Sequence, residues 1–148
     1  MILSGVLKNT QAGYKFGQIA LYLLTKVDAK ELKSRTEFIF TTFISYWQEH
    51  INQTLKPYLQ VYQTSLEIGD IEFAAHATNG YSFFAYLIGQ NLVKLEQETT
   101  EYSQILHKLG QKTSLQQNKI YRQAITNLIN GNSDLSQLNG DIYNRPLA

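Results

Sequence analysis

Apolar positions along the chain recur every three or four residues rather than every second one, the spacing of a helix face and not of a strand. The plainest case is Leu92, Leu95, Thr99, Tyr102, Leu106 and Leu109, a single seam with Glu96, Glu98, Glu101 and Lys108 off it and Gly110 at its end. The same reading predicts helices over about 11–26, 29–48, Thr54 to Gly69, Asp70 through Gly89, 92–109 and 114–130. Asp28 is placed to cap the second helix, and Pro57 falls in the first turn of the third, where no amide donor is needed. Gly69 is a left-handed C-terminal residue and Asp70 the next N-cap, while the run Asn130-Gly131-Asn132-Ser133-Asp134 stops the sixth helix.

Two helices carry more apolar surface than one face needs. Leu32, Phe38, Ile39, Phe43, Ile44, Tyr46 and Trp47 spread over the second. The fourth combines a small-residue stripe (Ala74, Ala75, Thr78, Ser82, Ala85, Gly89) with Phe73, Ala77, Phe84 and Leu87. Both should be packed from two sides, with Ala74 and Ala75 admitting a close neighbour. Turns at Val27-Asp28, Gly69-Asp70 and Gly110-Gln111 stand 42 and 41 residues apart, a helical-hairpin period. The expected fold is all-α, about six helices in stacked antiparallel hairpins like a tetratricopeptide solenoid; an irregular helical bundle is the alternative. One domain is expected over 1–130, with 131–148 a tail or the start of a further segment.

Composition narrows the function. A chain of 148 residues, 43% hydrophobic, can bury one continuous core. Its net charge of +1, without a block of either sign, argues against nucleic acid, and zero cysteines exclude disulfides, thiolate metal sites and a cysteine nucleophile. No apolar run of membrane-spanning length and no secretory leader pattern appear, so a cytoplasmic protein is expected.

Chemistry is sparse. His50, His76 and His107 fall on different predicted helices without forming a paired metal site. Glu67 and Asp70 flank Gly69, but capping accounts for Asp70. Leu109 to Ser114 (LGQKTS) lacks the glycine spacing and Gly-Lys pair of a phosphate loop. No catalytic, cofactor-binding or metal residue is therefore expected. Tyr46, Trp47, Tyr62, Tyr81 and Tyr86 are candidates for a protein-interaction surface, because such side chains anchor interfaces. The competing reading is a small ligand-binding helical domain or enzyme, built around Asp70, His76 and tyrosine hydroxyls.

Three longer patterns stand out: Trp47 to Pro57 (W-x-x-H-x-x-x-T-L-x-P), Tyr62 to Ala75 (Y-x-x-x-L-E-x-G-D-x-E-x-A-A) and Tyr86 to Glu96 (F-x-x-G-x-x-L-x-x-L-E, with Tyr for Phe). Together with Gly13 to Leu24 they resemble the helical repeat region that follows the AAA-type ATPase module in cyanobacterial multi-domain signalling kinases, over roughly residues 13–130. The resemblance implies a non-catalytic module whose partners are neighbouring kinase, ATPase or GAF sensor domains.

Overall fold

The computed structural model describes residues 6, 8–27, 29–131 and 138–144, and these are all-α apart from one isolated β-bridge. In chain order the helices are α1 (Thr10–Leu24), α2 (Lys30–Phe43), α3 (Leu55–Glu67), α4 (Ile71–Leu87), α5 (Leu92–Lys108) and α6 (Lys112–Asn130). Short 3₁₀ turns at Ser45–Trp47 and Ile51–Thr54 connect α2 to α3. The chain forms two compact units, 1–81 and 82–148, and α4 runs across the boundary.

One local device repeats. Gly69, Gly89, Gly110 and Gly131 all have positive φ, between 62° and 76°, and stand twenty or twenty-one residues apart. At the first three, the residue after the glycine donates its N–H five positions back around the turn: Asp70 to Ser65, Gln90 to Ala85 and Gln111 to Leu106, at 2.8–3.1 Å. The glycine N–H meets Leu66, Tyr86 and His107 in turn, so each helix ends in a Schellman motif. Gly89 therefore does not extend the small-residue stripe of α4, as expected from the sequence; it ends the helix. These glycine turns stand about half as far apart as the turns read from the sequence.

α2 ends at Phe43, five residues before the expected boundary, because the backbone leaves the helix at Ile44 (φ −129°, ψ −50°) and tightens to 3₁₀. Pro57 occupies the first turn of α3 as anticipated. The expected Asp28 cap, the stop signal over 132–134 and Pro146 lie outside the described residues. Caps that the sequence reading passed over are supplied by Asn9, whose Oδ1 accepts from the Ala12 N–H, and by Asn91, which accepts from Lys94, each at 3.0 Å.

In the first unit, Tyr58 is fully buried between α2 and α4: its hydroxyl donates to Thr42 Oγ1 at 3.0 Å and its ring lies against Gly80. Ser34 and Ser65, both buried, share a short hydrogen bond where α2 meets α3. Gly17 likewise lets the Phe40 ring press onto the α1 backbone. In the second unit, Leu95, Leu106 and Ile125 form the apolar core of the α5–α6 pair. Residues 138–144 lie on α6, with Gln123 Oε1 accepting from the Ile142 and Tyr143 N–H groups at 3.0 and 3.1 Å.

Candidate interaction surface

Asp70 was expected to cap α4, and its Oδ1 does face the Phe73 N–H, at a long 3.4 Å. Its Oδ2 accepts a 2.7 Å hydrogen bond from Arg35 Nε on α2, which also pairs with Glu31 at 3.0 Å. The Asp70 side chain is only 7% exposed. Burying a carboxylate requires such a partner, and Arg35, thirty-five residues earlier in the chain, was not foreseen. The guanidinium stands 5.1 Å from the centre of the Phe73 ring. Phe38, Phe73 and His76 then close an aromatic cluster with ring separations of 5.5–5.9 Å.

His76 packs against those rings and pairs with Glu72 at 3.7 Å. Glu72 is a carboxylate one helical turn before His76, a spacing that the sequence reading overlooked. The described residues contain no group of three potential metal ligands. His50 instead caps the second 3₁₀ turn, accepting from the Asn52 N–H at 3.2 Å, and His107 is exposed in the last turn of α5.

Two of the clefts formed among the described residues lie elsewhere. One of about 500 Å³ lies between α2 and α3, lined by Lys30, Lys33, Glu37, Gln60, Gln63 and Glu67. Desolvation pushes the Glu37 pKa up, against a smaller downward pull from Lys33. The other, about 330 Å³, is lined by Glu96, Gln97 and Thr126 together with Val93, Ile129 and Ile142. Behind it Arg122 binds Ser103 and Glu96 at 3.3 and 3.4 Å, and Ser103 is bonded to Asn118. Neither lining includes Asp70 or His76, so the residues named for a ligand site sit in a packed cluster rather than in either cleft.

The aromatic candidates separate. Tyr46 and Trp47 are exposed and lie ring to ring at 5.3 Å. Tyr62 and Tyr86 are half-buried, and burial raises the Tyr62 pKa. Tyr81 is a correction: at 6% exposure it is a core side chain, placed inward by the crowded faces of α4. Ala74 and Ala75 are fully buried, as a close-approach role requires.

A larger signal lies on α1 and α2. Packing from both sides was expected for α2, yet its stripe Leu32, Ile39 and Phe43 is exposed, as are Phe16, Ile19, Tyr22 and Leu23 on α1. The second apolar face exists in the sequence, and nothing in the described residues covers it. No family model, curated protein or solved structure matches the chain, and no helix among the described residues is long and apolar enough to cross a membrane.

Proposed function

We propose that this chain is a non-catalytic helical-repeat module, of tetratricopeptide-like hairpin architecture, that binds neighbouring domains of a cytoplasmic kinase and ATPase signalling system. The observation that carries the reading is the set of exposed apolar side chains on α1 and α2, with Tyr46 and Trp47 exposed as well. Isolated exposed apolar residues are ordinary, but contiguous stripes at helical spacing mark interaction sites. The regular glycine turns support a repeat architecture, in which each helix pair is built to be covered by another. Cofactors and metals play no part in this reading.

The test is titration of the labelled chain with purified serine/threonine kinase, ATPase and GAF domains, alongside a Phe43→Asp/Trp47→Ala variant. Saturable binding that the variant loses is the expected result. Absence of binding to all three domain types removes the signalling role.

A further inference from the structure

We infer that the outer face of α1 is a docking strip for an amphipathic helix whose apolar stripe is flanked by carboxylates. The inference rests on the interaction reading above and names the partner's chemistry.

α1 has two working faces. Its inner face is already occupied: Gly13 is buried, a Cβ on Gly17 would come within 2.3 Å of the Phe40 ring, and Tyr14 lies 5.5 Å from that ring. The outer face carries Phe16, Ile19 and Leu23 at i, i+3 and i+7, with Tyr22 beside them, and all four are between 52% and 63% exposed. That spacing forms one ridge along the helix, the shape that seats in the groove of another helix. An edge helix with apolar residues on both sides lacks one neighbour.

Charge selects which neighbour. Lys8, Lys15 and Lys26 are the only ionisable side chains over residues 8–27 apart from tyrosines, and no carboxylate occurs there. The helical period places Lys15 on the same arc as Ile19 and Tyr22, and Lys26, just past the end of α1, holds its ammonium 5.0 Å from the centre of the Tyr22 ring. A helix packed on this ridge brings its flanking positions over those lysines, so Glu or Asp there is favoured and Lys or Arg repelled. Membrane adsorption fits less well. Interfacial helices set their basic residues opposite the apolar face, whereas here the lysines rise from the exposed arc and the opposite face is packed on α2.

The experiment uses the full chain and two synthetic helical peptides of about four turns with the same leucine stripe, one flanked by Glu and the other by Lys, read by fluorescence anisotropy. The Glu peptide should saturate and bind about tenfold more tightly than the Lys peptide, as expected of a few exposed ion pairs. Ile19→Asp/Leu23→Asp should remove that binding without changing the circular dichroism, since both side chains are largely exposed. Lys15→Glu/Lys26→Glu, which leaves the ridge intact, should invert the preference. Equal affinity for both peptides, or binding of neither, overturns the proposal. It is also overturned if Ile19→Asp instead abolishes sedimentation with phosphatidylserine vesicles, which assigns the face to a membrane. Loss of a concentration-dependent dimer in that variant assigns it to a second copy of the chain. If the peptides fail while a signalling domain still binds through Phe43 and Trp47, only this inference falls; if both fail, the interaction reading falls with it.

Discussion

At the scale of single residues, two contacts in the first unit are directly testable. A Cβ at position 80 would stand 2.3 Å from Cε1 of the fully buried Tyr58. Gly80→Ala should therefore cost about 1–3 kcal/mol, as overpacking does, and most of that loss should vanish against a Tyr58→Leu background in urea denaturation. Asp70 acts both as cap and as buried partner of Arg35. Asp70→Ala should cost about 1–3 kcal/mol, and a cycle with Arg35→Ala should show coupling; additive losses would mean that the ion pair does not matter. Titration adds a third handle. The Tyr14 hydroxyl donates to Glu49, and this bond, with burial, pushes its pKa up to about 12 from the ordinary 10.0. The folded state thus favours neutral Tyr14: its contribution is complete below pH 10 and is lost as pH rises through about 12, a loss that Tyr14→Phe should not show. Glu37 has the same direction of shift in an acid. Its carboxylate opposes folding at neutral pH, so Glu37→Gln should stabilise by less than about 1 kcal/mol at pH 7, and by nothing below about pH 4.

At the scale of elements, the glycine turns predict a pattern common to several sites. Gly69, Gly89 and Gly110 have positive φ and open space around an added Cβ, so the penalty of substitution is purely a backbone one. Replacing any of them by Ala should cost about 1 kcal/mol, Asn should cost less, and Val more; a Gly89→Val protein with an unchanged urea midpoint would contradict the turn. This is also where legibility varied. α5 and α6 were readable to within two residues because their seams are regular and glycine ends them. Gly89 was absorbed into a helix because Ala85 and Ser82 precede it at helical spacing, so composition hid a conformational signal. The early end of α2 had no local mark, since Phe43 to Trp47 keeps the apolar helical period and contains neither glycine nor proline. The Arg35–Asp70 pair was illegible for a different reason: it joins α2 to the turn before α4 across thirty-five residues, and only tertiary packing brings the two together.

At the scale of the whole molecule, the sequence pattern implied packing from two sides for both α2 and α4, and the two helices differ in how far this holds. α4 shows the more covered outcome: Ala74, Ala75, Ala77, Thr78, Tyr81, Ser82, Phe84 and Ala85 are all buried, while Phe83 and Leu87 stay exposed on its remaining side. α2 shows the other outcome, with Leu32, Ile39 and Phe43 left open although their residue types are those of a core. The distinction has a measurable consequence. Truncating a core Leu, Ile or Phe typically costs about 2–5 kcal/mol, because the transfer energy and the cavity both count. Side chains that are already 40% to 59% exposed forfeit only part of their transfer energy and leave no closed cavity. An Ile39→Gln/Phe43→Gln protein should therefore melt close to the parent chain, while its binding of an apolar dye such as anilinonaphthalene sulfonate falls. A large drop in melting temperature would show that the stripe is structural, and would withdraw the surface on which the proposed function rests. An unchanged melt with reduced dye binding would leave Ile39 and Phe43 as side chains kept apolar for a partner rather than for the fold.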